Sequence, residues 1–152
     1  APDFTLPRVG GGEVSLRDYE GKLLVLDFWA TWCSGCVKEL PAYQALVDSW
    51  DPERVAYLGI ALDDSLEQVE AFLKTRPDLK LPMALADERT AQAYLGARRT
   101  LPSARVIDGE GMIRYAFSGG EQPARVKAAV EALLREPGSA EPTADTPARA
   151  EP

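Results

Sequence analysis

The stretch LDFWATWCSGCVKELP, residues 26–41, holds the only two cysteines of a 152-residue chain. Cys33 and Cys36 lie at a seam. Before them runs Lys22–Phe28, whose continuous Leu and Val suit a strand in a sheet covered on both faces. After them, Val37, Leu40, Tyr43, Leu46, Val47 and Trp50 recur at helical spacing from Ser34 to about Trp50, with Pro41 expected to kink the helix. The two thiols therefore stand where a buried strand hands over to a helix.

Three chemistries compete for such a pair. A structural zinc wants four ligands, usually Cys or His, and this chain offers two thiols and no histidine. A structural staple across two intervening residues removes little entropy from the unfolded chain and stabilises weakly. The third chemistry uses the position. A helix N-terminus carries unpaired N–H groups and roughly half a positive charge, and thiol pKa values fall there from about 8.5 toward ~7 or lower. Cys33, just before Ser34 and Gly35, is then the attacking sulfur. Cys36, one turn in and more buried, is the resolving one. Dithiol exchange is the reading that fits.

The flanking residues add detail. Trp29 and Trp32 are candidates to wall the site with apolar surface and offer a platform to a polypeptide, Trp29 being equally well explained as core. Asp27 is a carboxylate at the end of an otherwise apolar strand. Burial would raise its pKa and suit it to shuttle the proton of Cys36. Glu39, one turn beyond Cys36, is a candidate second relay, with plain solvation as its alternative.

Working outward, residues 1–22 read as a preamble with a small hairpin around Gly10–Gly12. Val55–Leu62 is a second apolar strand. Ser65-Leu66-Glu67-Gln68 has the form of a capping box and opens a helix that ends by Pro77. Leu81–Leu85 is a short strand, and Asp87 caps a brief helix stopped by Gly96. Ser103–Ile107 and Met112–Phe117 flank Asp108-Gly109-Glu110-Gly111, a hairpin signal. A last helix spans roughly Pro123–Arg135. The remainder, 136–152, is rich in Pro and Ala, has no large apolar residue, and is expected to be a disordered tail. One domain over 1–135 results, of α/β class with helices on both faces of its sheet.

Composition excludes whole classes. With 17 basic and 24 acidic residues the net charge is −7, so nucleic acid is not an expected partner. No run approaches the ~18 apolar residues of a membrane span. Nothing suggests a metal, nucleotide or flavin cofactor; the dithiol is itself the redox group.

Asp-Phe-Trp-Ala-Thr-Trp-Cys-x-x-Cys, with Pro41 five residues after Cys36, resembles the thioredoxin superfamily. The opening Pro-Asp-Phe-Thr-Leu, the segment Val-Ser-Leu-Arg-Asp-Tyr-Glu-Gly-Lys and the extra α-β segment at about 64–86 resemble its TlpA/ResA/CcmG group over about residues 2–135. The resemblance implies a thioredoxin fold: a central mixed sheet with helices on both faces, an N-terminal hairpin and an α-β insertion. It places the active pair on Cys33 and Cys36, the buried acid on Asp27 and the ResA-type glutamate on Glu39. It puts a cis-proline loop at Leu101-Pro102-Ser103, where the backbone of Leu101 would pair with an extended client beside Trp32, Ser34 and Gly35.

It also implies a monomeric, extracytoplasmic reductant of protein disulfides. Such a protein is recharged by a membrane donor of the DsbD or CcdA kind, has an anchor or signal ahead of Ala1, and takes clients such as apocytochrome c or copper-site assembly proteins. Two departures stand out. Ser34-Gly35 replaces the common proline-containing dipeptide, and Tyr57 occupies the position of the lysine that thioredoxins set against the buried acid. Without a cation beside it, Asp27 should hold its proton more tightly. A disulfide oxidant or isomerase, a non-catalytic binding module and a peroxiredoxin are the rivals. The last is suggested by Pro2-Asp3-Phe4-Thr5-Leu6 and weakened because the chain lacks the Pro-x-x-x-Thr-x-x-Cys loop, Thr31 standing only two residues before Cys33.

Overall fold

Strand β3, Leu23–Trp29, is buried at all seven positions and forms the centre of the molecule. The computed structural model describes residues 1–137. The tail expected over 136–152 lies outside the described residues apart from its first two positions. In chain order the elements are β1 (Thr5–Pro7), β2 (Glu13–Ser15), a short 3-10 helix (Leu16–Tyr19), β3, α1 (Ser34–Ser49), β4 (Val55–Ala61), α2 (Leu66–Lys74), β5 (Met83–Leu85), α3 (Glu88–Leu95), β6 (Ser103–Ile107), β7 (Ile113–Ser118) and α4 (Gln122–Leu134).

The five-stranded sheet has the order β5-β4-β3-β6-β7, and β1 pairs β2 in a separate hairpin. β4 runs parallel to β3, whereas β6 runs antiparallel to it. Side chains alternate across a strand, so β3 serves two cores at once. Leu23, Val25 and Trp29 pack with Leu40 and Tyr43 of α1 and Val126, Val130 and Leu133 of α4. Leu24, Leu26 and Phe28 pack with Phe4, Leu6 and Val14 of the N-terminal segment and Tyr94 of α3. By the same alternation Asp27, Tyr57 and Gly59 all turn toward the α1 face.

Local signals are realised almost as written. Ser65 Oγ accepts the Gln68 N–H at 3.3 Å while Gln68 Oε1 accepts the Ser65 N–H at 3.2 Å, closing the capping box of α2. Asp87 Oδ1 accepts the Thr90 N–H at 2.8 Å to start α3, and Gly96, at φ 69°, ends it. Asp108 Oδ1 accepts the N–H groups of Glu110 and Met112 in the last hairpin.

Two boundaries differ from expectation. α2 stops at Lys74, where Thr75 turns its hydroxyl back on the Phe72 carbonyl, before Pro77 is reached. β5 begins only at Met83, the residue in register with Gly59 of β4, whose N–H donates to the Pro82 carbonyl. α1 runs from Ser34 through Pro41 to Ser49, the span expected of it.

Candidate active site

Cys33 is the N-cap residue of α1, extended at φ −98° and ψ 101°, and its sulfur accepts the N–H of Cys36 at 3.3 Å. The two sulfurs are joined in a disulfide, with Cα atoms 5.3 Å apart. Cys36 is 2% exposed and belongs to the core beneath α1, whereas Cys33 is half-buried at its edge. The first turn of α1 has no acidic side chain, so nothing in it offsets the positive end of the helix. Ser34 and Gly35 are exposed between the cysteines. Beyond its chain neighbours and the backbone of its own helix, no atom lies within 4 Å of where a Cβ on Gly35 would stand. Glycine there contributes backbone freedom, not room.

The segment ahead of Cys33 is held by a residue the sequence alone did not single out. Asp63, just past β4, accepts the N–H of Thr31 at 3.0 Å and the Thr31 hydroxyl as well. Its neighbour Trp32 is 68% exposed. Trp29, read equally as a second wall or as core, is core: it is fully buried and packs on Phe72 with ring centroids 5.6 Å apart. It is core because β3 continues through it.

Asp27 likewise is not at a strand end. It lies inside β3, paired with Gly59 on one side and Ala104 on the other, and is 3% exposed. Tyr57 donates its hydroxyl to Asp27 Oδ2 at 2.6 Å. Burial raises the Asp27 pKa to about 7; the Tyr57 hydrogen bond pulls it down in part, and the charge of Glu39 pushes it up.

Glu39 is half-buried, not a freely solvated surface charge. Its Oε2 accepts the backbone N–H of Glu121 at 2.7 Å and that of Gln122 at 3.3 Å. The N-cap residue of α4, Glu121, sits in the left-handed region at φ 62° and makes no side-chain cap of its own. Glu39 therefore caps α4 from across the fold, tying the cysteine-bearing helix to the C-terminal one. Glu39→Ala is expected to cost about 1 kcal/mol in urea unfolding, with Glu39→Gln recovering part of it. Equal stability for all three proteins would refute the cap.

Leu101-Pro102 is a cis peptide bond. The Pro102 carbonyl accepts the N–H of Gly119 at 3.0 Å and Gln122 Nε2 at 3.4 Å. Gln122, fully buried, also donates to the Gly119 carbonyl. It thus ties the proline loop to the same α4 start that Glu39 caps. Leu101 and Trp32 line one groove of about 410 Å³, together with Leu62, Asp63, Asp64 and Glu88 among others. Glu88 is paired to Arg99 on that groove.

Residues 1–116, about three quarters of the chain, match the AhpC/TSA family. The chain belongs to the AhpC/TSA family. Within it the relatives carry dithiol names. The chain is 34% identical over 117 residues to the thioredoxin-like protein YneN of Bacillus subtilis, covering 75% of this chain and 66% of that one. It is 32% identical over 113 residues to the thiol-disulfide oxidoreductase ResA of Bacillus cereus, covering 74% and 64%. The chain thus spans just under two thirds of the length of these curated relatives. Among solved structures it is similar to a thiol:disulfide interchange protein of the thioredoxin family from Chlorobium tepidum, with TM-score 0.76 and 27% identity over 88% of this chain and 94% of that one. The mixed sheet flanked by helices is the thioredoxin fold, as the Trp-Cys-x-x-Cys motif led us to expect.

Proposed function

We propose that this protein is a thiol–disulfide oxidoreductase that reduces disulfides of client proteins outside the cytoplasm. One observation carries the reading: a half-buried Cys33 sulfur at the open end of α1, joined to a buried Cys36 one turn on. In the reduced protein, Cys33 thiolate attacks one sulfur of a client disulfide. A Cys33–client bond forms and the client's other sulfur leaves as a thiolate. Cys36 gives its proton to Asp27 and attacks Cys33 sulfur, restoring the Cys33–Cys36 bond and releasing the client's second thiolate. Two electrons pass from the dithiol to the client, and protons from Asp27 and solvent neutralise the products.

The groove lined by Trp32 and Leu101 supports a polypeptide substrate, because it sets an exposed indole, one residue before Cys33, among the apolar side chains of Leu62, Ala86 and Leu101 and the carboxylates of Asp63, Asp64 and Asp87. Leu101 supplies backbone for an extended client segment. Trp32, Ser34, Gly35, Leu101 and Pro102 are its proposed contacts. By resemblance to the ResA and DsbE-like group, the recharging partner is a membrane thiol donor of the DsbD or CcdA kind. The same resemblance makes apocytochromes c and copper-site assembly proteins the client classes to test. Among the described residues no helix is long and apolar enough to cross a membrane.

Peroxide reduction is a weaker reading. Thr31, two residues before Cys33, has its hydroxyl committed to Asp63, away from any role in polarising a peroxide bond. The test is equilibration of the Cys33–Cys36 couple against glutathione buffers. A reductant should settle well below about −150 mV, and a value above that would assign the protein to disulfide formation instead.

A further inference from the structure

The buried acid of this site is served by a phenol, not a cation, and the phenol occupies a slot defined by a glycine. Asp27 and Gly59 face each other in the parallel register of β3 and β4, and Tyr57 lies two residues before Gly59 on the same face. A Cβ built on Gly59 would stand 3.1 Å from the Tyr57 hydroxyl oxygen, 3.1 Å from Trp29 Nε1 and inside contact distance of the Met83 sulfur. Contacts of 3.1 Å are tighter than van der Waals spacing allows without displacement, and here all three neighbours are packed in a core. A side chain at 59 would therefore displace the Met83 sulfur first and also crowd the Tyr57 hydroxyl, and with it the hydrogen bond to Asp27.

We propose that Tyr57 and Gly59 are positioning residues for the dithiol chemistry: the Tyr57 phenol is the neutral donor that sets when Asp27 holds its proton, and Gly59 keeps open the slot in which that phenol sits. The inference rests on the reading of Asp27 as the proton acceptor of Cys36. The groups around Asp27 fit it. β4 contributes Tyr57, β6 contributes Ala104, and α1 contributes Glu39 together with Tyr43, whose ring lies 5.2 Å from that of Tyr57. None of these is a cation. Burial, reinforced by the charge on Asp27, pushes both phenols well above the ordinary tyrosine range. Tyr57 therefore stays protonated and acts only as a donor. A donor to the carboxylate stabilises its ionised form, so Tyr57 moderates what burial and Glu39 raise.

The experiment follows the Asp27 carboxyl carbon by NMR against pH in the disulfide form, where no client or reductant is needed. Tyr57→Phe should move the Asp27 midpoint upward by about 1–2 pH units. Gly59→Ala should move it in the same direction, and should add nothing in the Tyr57→Phe background, where the phenol oxygen is already gone. Loss of stability alone, with an unmoved midpoint in Tyr57→Phe, would overturn the proposal. So would a Gly59→Ala shift that persists in full without the hydroxyl. If Gly59→Ala does not fold, the Tyr57→Phe titration decides by itself. Shifted midpoints in a protein inert toward every disulfide would uphold the network and sink the functional reading instead.

Discussion

Cys36→Ala is expected to stop turnover, by about 10³-fold or more, while leaving the first half of the reaction intact. Cys33 carries the exposure and stands at the helix end, so it still attacks. Cys36 lies 2% exposed, where a client sulfur reaches it poorly, and in the proposed cycle it displaces whatever Cys33 has captured. Without it, mixed disulfides with Cys33 accumulate and migrate as heavier bands on non-reducing gels, collapsing on addition of dithiothreitol. Mass spectrometry of those bands names the client. Cys33→Ser is the companion: it should form no adduct and retain no reductase activity. A Cys33→Ser protein that still bound or protected clients would point to a chaperone of the same fold. A Cys36→Ala protein that turned over normally would remove the two-cysteine mechanism altogether.

How much of this was legible before the structure depends on the range over which each contact acts. The capping box at Ser65 and Gln68, the Asp87 cap and the Asp108 hairpin are closed by residues two to four apart, and sequence spacing carries them in full. The placement of Cys33 at a helix start is of the same kind. The contacts that shape the site are not. Thr31 meets Asp63 across 32 positions, and Glu39 meets the start of α4 across 82. Nothing in the periodicity of α1 distinguishes a glutamate that caps another helix from one that faces water. Tyr43 reads as one more apolar position on α1, and only its neighbour Tyr57 shows that its ring belongs to the polar nest under the cysteines. Asp27 was visible as an anomaly because a charge interrupted a Leu-Val run. Its position inside β3 follows from the sheet continuing through Trp29, which the tryptophan concealed by resembling a site wall.

The same anomaly makes Asp27→Asn the most informative change for the energetics of the fold. Its carboxyl titrates at about 7 in the folded protein against 3.8 ordinarily. The folded state therefore holds a proton that the unfolded chain releases between those values. Below pH 3.8 both states are protonated and the group is neutral toward stability. As pH rises from there to 7 the unfolded state is favoured progressively, and above 7 the full penalty, on the order of 4 kcal/mol, is in place. Asparagine is never ionised, so Asp27→Asn should be more stable than the parent at pH 8 by up to that amount, with the gain shrinking toward nothing at pH 3.5.

Its chemistry should move the other way. With no carboxylate to take the proton of Cys36, resolution of the mixed disulfide should slow by about 10²-fold at neutral pH. Denaturant unfolding of the oxidised protein at the two pH values reads the first effect, and single-turnover reduction of a model disulfide reads the second. A variant equally stable to the parent at pH 8 would mean that Asp27 pays no burial penalty. One that resolves clients at the parental rate would show that Cys36 loses its proton elsewhere. The combined outcome, a protein that gains stability while it loses exchange, identifies Asp27 as a buried charge kept for function against the interest of the fold.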